Sequence, residues 1–401
     1  MAVNESQPSV TIDDSDLLVN EGAFRAAYGE PLNATLDINT WSTGGDLEGL
    51  YQRLEEEVGK AVQTENELRK TIRSTILPRI ATRPQAPRGG GWYKVKSADL
   101  KRIHTSLLFN GAVEACDGTS VEYDTLPITI TQIGVCTVSY QGDQGSWTQR
   151  LYRRDLRAST GNALDDVLAL LDNRSRRGST DADERSKLSE LAKRGIMTYA
   201  ERAILARKCQ APWRMGHGNP IPYELLTGSG SMDLLDRSME ILRELILQHR
   251  KIVFIPSAPT DRRLLTIGQA MNGLEFAIFE TVEESMLKIV SGGHYSKQYL
   301  RKAEEFSREI GPNVVLGMYK ASAVSPVNFF YSHIDHACEA ALIAIADSVL
   351  QEHRGFPMLI DLADTICRTT LGNDIFNSAV QMAYTSVGEP FRFLTERQTR
   401  I

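Results

Sequence analysis

The run Gly111-Ala112-Val113-Glu114-Ala115-Cys116-Asp117-Gly118-Thr119-Ser120 reads as a short apolar strand ending in an aspartate and a glycine. A carboxylate at the end of a buried strand is a common way to hold a metal ion. The strand fixes the side chain, and the glycine lets a phosphate backbone come close. Asp-Gly is also an ordinary turn dipeptide, and taken alone a hairpin turn is its commoner role. Three further acidic positions could join Asp117. Glu201 lies in Tyr199-Ala200-Glu201-Arg202-Ala203, on a charged helix expected over 183–208, where small neighbours let it face inward; the commoner fate of a helix glutamate is a solvated face. Glu224 sits in Tyr223-Glu224-Leu225-Leu226, within a short strand expected from Ile221 to Leu226, so its carboxylate is either on an exposed face or in a site. Asp364 lies on a helix, with Asp361 three residues earlier on a neighbouring face. Carboxylates of this kind suit Mg²⁺ or Mn²⁺ rather than zinc.

Other chemistries find no support. Gly228-Ser229-Gly230-Ser231 lacks the lysine of a phosphate-binding loop. There is no Gly-x-Ser-x-Gly elbow and no His-Glu-x-x-His helix. His333 and His336 are spaced to share a metal but fall among polar neighbours, where surface histidines are the better expectation. The five cysteines, Cys116, Cys136, Cys209, Cys338 and Cys367, are scattered with no Cys-x-x-Cys. That argues for reduced thiols and a cytoplasmic location. The N-terminus is polar and acidic, unlike a secretory signal, and no apolar run approaches a membrane span. A net charge of −6 is mild evidence against nucleic-acid binding, though clustered basic residues would offset it.

The elements that must position these groups begin after a polar arm, residues 1–45. Leu47, Tyr51, Leu54, Val58, Ala61, Leu68 and Ile72 then recur at alternating spacings of three and four, broken by Glu65. This predicts a long amphipathic helix, lying on its own domain or used for dimerisation or docking. A Pro/Gly/Arg linker at 78–91 closes this 46–91 region. In 92–401 a short helix over 98–109 precedes three strands: the Asp117 strand, one near 130–140 and one near 146–153. Short connections make them an antiparallel meander. Helices follow at 159–172 and 183–208. A strand (221–226), helix (232–249) and strand (251–256) form a βαβ unit. Further strands are expected at 314–320 and 327–331, and helices at 334–352, 357–371 and 373–384. A meander followed by βαβ predicts an α/β, ribonuclease-H-like mixed sheet with flanking helices.

The order of these segments resembles the NurA nuclease family, from about Gly111 to the C-terminus. Asp117-Gly118-Thr119 stands where the family has a strand ending Asp-Gly-Ser, and Glu201 matches its helix glutamate. Leu225-Leu226-Thr227-Gly228-Ser229 matches the frame of a second Asp-Gly-Ser strand. Phe356-Pro357-Met358-Leu359-Ile360-Asp361-Leu362-Ala363-Asp364 matches an aromatic-Pro-x-x-Leu segment followed by Ala-His. Thr227 replaces an aspartate, Asp364 a histidine and Phe356 a frequent tyrosine. The resemblance implies a metal-dependent DNA nuclease working with a hexameric HerA-like ATPase, as a homodimer enclosing DNA. Asp117 would bridge one or two Mn²⁺ or Mg²⁺ ions, Glu201 and Asp364 would be further ligands, and Glu224 could supply the charge missing at Thr227. Arg174, Arg176, Arg177, Arg262 and Arg263 could hold phosphates. The expected role is DNA end processing or defence against foreign DNA. The rival expectations are a NurA-like adaptor that has lost catalysis and a likeness that is only fold-deep.

Overall fold

Along one strand, Val113 and Ala115 enter one buried cluster while Cys116 enters another. Alternate side chains point to opposite faces, so this strand is covered on both sides. It belongs to a nine-stranded sheet in a computed structural model of the chain. The structure describes residues 21–41, 47–124, 128–154, 188–257, 261–292 and 297–393, together with 162, 164, 165 and 168. The strands are β1 (Gly91–Lys94), β2 (Val113–Asp124), β3 (Thr129–Ser139), β4 (Gly142–Arg153), β5 (Trp213–His217), β6 (Ile252–Ile255), β7 (Glu275–Thr281), β8 (Val314–Lys320) and β9 (Asn328–His333). Their order is β1-β7-β8-β9-β6-β5-β2-β3-β4.

The meander β2-β3-β4 is antiparallel, and β5 and β6 add to it in parallel through β2. This is the ribonuclease-H-like arrangement expected from the segment order. Antiparallel β9, β8, β7 and β1 then widen the sheet.

The helices used below are α1 (Leu47–Thr71), α2 (Ile196–Arg207), α3 (Met232–Arg243), α4 (Ala337–Ser348), α5 (Met358–Leu371) and α6 (Asn373–Ser386). Leu359, Ile360 and Ala363 of α5 pack with Val113 and Ala115, while Ile204 and Leu205 of α2 pack with Cys116. The two helices therefore cover opposite faces of β2. The chain divides into two units, Met1–Glu67 and Leu68–Ile401. The first holds the helices Glu21–Tyr28 and Leu32–Leu36 and most of α1. Among the described residues, no helix is long and apolar enough to cross a membrane.

Four local expectations need correction. Asp117 does not end its strand or sit in a hairpin: β2 continues to Asp124, with Asp117 opposite Cys136 and Gly118 opposite Val135. Long-range pairing overrides the local turn signal. Ile221 to Leu226 is not a strand. Pro222 precedes a helical turn, Tyr223–Leu226, and the first strand of the βαβ unit is β5. The 78–91 segment is not a solvated linker. Leu77–Thr82 is helical with Leu77 and Ile80 buried, Arg83 donates to the Phe279 carbonyl, and Arg88 pairs with Asp335. Strands β1 and β7 had no counterpart in the sequence reading. The 159–172 helix was read over a stretch of which only 162, 164, 165 and 168 are described.

Candidate active site

Strand β5 accompanies β2 only as far as Cys116, which lies opposite Gly216. Beyond that point β2 continues against β3, leaving its β5-side edge open at Asp117 and Gly118. Groups on both faces of the sheet can meet around such an edge. Asp117 is buried on the α5 face, 5% exposed. Its Oδ1 accepts the Gly118 N–H at 2.9 Å and lies 3.4 Å from Nδ1 of His217, the last residue of β5. The hydrogen bond to Asp117 raises the His217 pKa, against the opposing effect of burial.

Glu201 reaches the same place from α2 on the other face. Its backbone carbonyl lies 3.8 Å from the Cys116 thiol. A Cβ added at Gly118 would stand 2.6 Å from Glu201 Oε1. The glycine is therefore the space into which the Glu201 carboxyl fits, a closer use than admitting a substrate. Burial pushes the Glu201 pKa up to about 7; the charge of Asp117 adds to the shift, while Arg202 and His217 oppose it.

Arg202 is the cation that accompanies Glu201. It is 2% exposed, pairs with the Glu201 carboxylate, and donates to the carbonyls of His217 at 3.1 Å and Asn219 at 2.6 Å. Its guanidinium lies 5.0 Å from the centre of the Phe254 ring, and its Nε is buried with no partner. Three anchors fix the planar fork in one orientation.

Asp364 lies on α5, half-buried. Burial raises its pKa first and the charge of Asp117 next, so Asp364 stands within the field of that carboxylate. Its own cation is Arg368, one turn later, at 2.7 Å. Asp117, Glu201 and Asp364 are thus brought to one region, each beside a cationic or protonatable partner.

Glu224 is not brought there. It lies on the Tyr223–Leu226 turn, away from the open edge of β2. Thr227 is buried. Its hydroxyl donates to the Tyr223 carbonyl at 2.8 Å and accepts from the Ser229 N–H, so it closes a turn. Arg262 and Arg263 begin a helix, Arg262–Gln269, that packs on the β7–β8 part of the sheet, and Arg263 pairs with Asp261 at 3.2 Å. Arg174, Arg176 and Arg177 lie outside the described residues. Among the described residues, no group of three or more His, Cys, Asp or Glu side chains is close enough to hold a metal ion.

Sequence reasoning missed His217 and Arg202. Gly216-His217-Gly218 carried a signal. A Cβ at Gly216 would meet the Phe254 ring at 2.2 Å, and Gly218 has φ +82°, so two glycines bracket a histidine for packing and turning.

No family model and no curated protein matches the sequence. Among solved structures, the chain is similar to the NurA nuclease from Sulfolobus solfataricus, at 10% identity over 84% of this chain and 98% of that one, with a TM-score of 0.42. It is similar to a second NurA structure at 9% identity, covering 84% of this chain and 97% of that one, TM-score 0.45. It is similar also to NurA bound to dAMP and manganese at 9% identity, covering 88% and 98%, TM-score 0.41. What the chain is similar to in these structures is the NurA-like fold.

Proposed function

We propose that this protein is a divalent-metal-dependent deoxyribonuclease that hydrolyses phosphodiester bonds at the open edge of β2. The observation that carries the reading is the meeting of Asp117 and Glu201 across Gly118, from opposite faces of the sheet. Asp364 adds a third carboxylate from α5.

The donor chemistry suits Mn²⁺ or Mg²⁺. Asp117, Glu201 and Asp364, all hard oxygen donors, would be the ligands and would have to draw closer around an ion, since no three such groups among the described residues stand near enough to hold one here. The charge of Asp117 raises the pKa of both Glu201 and Asp364, a like-charge repulsion that a cation relieves. A bound ion supplies an activated water and stabilisation of the leaving oxygen. The chain's own groups do the rest. Arg202 holds Glu201 in one rotamer and ties it to the loop after β5. Asp117 orients the His217 ring through Nδ1. Arg368 balances Asp364.

In this reading DNA is the substrate, a HerA-like hexameric ATPase is the partner, and the working unit is a homodimer in the cytoplasm. The role is DNA end processing or defence against foreign DNA. One observation favours a second reading, a NurA-like adaptor without catalysis: Thr227 contributes no carboxylate and its hydroxyl is spent inside a turn.

The test is cleavage of end-labelled single- and double-stranded DNA with Mn²⁺, with and without a co-purified ATPase. Wild type is compared with Asp117→Asn and Asp117→Ala, each checked by thermal melting. Cleavage by the wild type, lost in both folded variants, supports the nuclease. No cleavage under any condition, with DNA or ATPase binding intact, supports the adaptor.

A further inference from the structure

Beside Asp364 an open groove of about 380 Å³ runs between α5 and α6, lined by Thr365, Arg368, Thr369, Asp374 and Ile375. We infer that this groove holds a backbone phosphate of the nucleic-acid strand, with Arg368 as its ligand. The inference rests on the nuclease reading and names a substrate contact within it.

Arg368 lies one helical turn after Asp364, so both side chains share a face of α5. One guanidinium nitrogen is 2.7 Å from the Asp364 carboxylate, yet the side chain is 64% exposed. A guanidinium has five N–H donors, and the Asp364 pair occupies one edge of the fork. Arg368 also lines the groove, where a planar fork suits a phosphate. Thr365, exposed on the same wall, offers a hydroxyl with no hydrogen-bond partner among the described residues. Thr369 differs, because its hydroxyl is turned back to the carbonyls of Thr365 and Ile366. Asp374 stands on the α6 wall and repels an anion, which confines a phosphate to the Arg368 and Thr365 side. A phosphate held at Arg368 would lie beside Asp364, the carboxylate that Arg368 pairs with.

The measurement is DNA binding by the full chain across a salt series, with a fluorescent single strand and a duplex, in EDTA so that no strand is cut. Arg368→Ala is compared with wild type, with Arg368→Lys, and with Arg301→Ala. Arg301 is a matched control, exposed and paired with Glu305 four residues later. Losing one phosphate contact should lower the slope of log affinity against log salt by about 0.7 for single strands and about 0.9 for duplex. Arg368→Lys should keep the slope, and Arg301→Ala should leave it unchanged. An unchanged slope in Arg368→Ala, or an equal fall in Arg301→Ala, overturns the groove assignment and leaves the nuclease reading standing. No DNA binding by the wild type at any salt overturns both.

Discussion

Arg202 is the residue on which the arrangement at β2 turns. Its side chain is out of water, and so is the carboxylate it pairs with. Removing one partner of a buried pair leaves the other charge uncompensated, which costs about 3–5 kcal/mol. Arg202→Met should therefore lower unfolding stability by that amount, measured by urea denaturation. Arg202→Lys should recover only part of it, because an ammonium cannot serve a carboxylate and two carbonyls in the same plane. Equal stabilities for Arg202→Met and wild type would mean that Glu201 finds another partner or becomes neutral. Asp117 invites a different measurement, since the site reading makes it a ligand and its burial makes it structural as well. Asp117→Asn keeps its shape, and cleavage should fall by at least about a thousandfold, equivalent to about 4 kcal/mol of barrier, with melting nearly unchanged. Asp117 and Glu201 were candidates in the sequence because of the order of segments around them, since an Asp-Gly pair and an Ala-flanked helix glutamate are each common on their own. His217 was not, because its role depends on β5 ending beside Asp117, a fact of sheet register that no local pattern carries.

At the scale of elements, the site depends on α2 reaching over Gly118 and on α5 being fixed at its N-terminus. Gly118→Ala places a methyl 2.6 Å from Glu201 Oε1. The carboxyl must move, so cleavage should fall by about 10–100-fold, the size expected when a ligand loses its support, while circular dichroism stays native. The N-terminus of α5 is held by Asp347, which is wholly buried at the end of α4. Its carboxylate accepts the Leu359 N–H at 2.9 Å and the Tyr140 hydroxyl. Burial pushes its pKa up to about 7, against those two hydrogen bonds. A carboxyl with a raised folded pKa binds its proton more tightly folded than unfolded. Its stabilising effect is therefore complete below the unfolded value and lost as pH rises through about 7. Across that window its contribution should fall by at most about 1.4 kcal/mol per pH unit, and Asp347→Asn should flatten the slope. Urea unfolding at pH 5, 6, 7 and 8 would show it, and an identical slope in the variant would refute the assignment. The β2–β4 meander, β6, β8, β9 and helices α1 to α6 were readable from apolar periodicity; β1, β5, β7 and the helices between Arg262 and Ile310 were not. The Tyr223–Leu226 turn was misread because a four-residue apolar run has no period to distinguish helix from strand, and Pro222 and Thr227 decide it.

At the scale of the whole molecule, an exposed apolar seam runs along α1. Tyr51, Leu54 and Val58 are 65%, 58% and 52% exposed. They recur with Ala61 and Leu68 at the spacing of a coiled-coil core, and the homodimer in the proposed function gives that seam a partner, a second copy of itself. Glu65 constrains the geometry. In a parallel pair it would face the same glutamate of the second copy, two like charges in an apolar seam. In an antiparallel pair centred between Val58 and Ala61, it faces Leu54 of the second copy, and the like-charge contact disappears. Antiparallel pairing is therefore expected. A cysteine at Tyr51 together with one at Leu68 should cross-link two copies, whereas a cysteine at Tyr51 alone should not, with Cys338→Ser as background because Cys338 is the exposed native thiol among the described residues. Each apolar side chain buried in the seam contributes about 1.5–3 kcal/mol, and a symmetric pair loses it twice. Val58→Glu should then weaken dimerisation by at least a hundredfold, since each 1.4 kcal/mol is about tenfold in Kd, read by light scattering across a dilution series. Native melting of the variant would show that the fold does not depend on Val58. A dimer of unchanged affinity would place the contact between copies elsewhere and leave the α1 face for the ATPase.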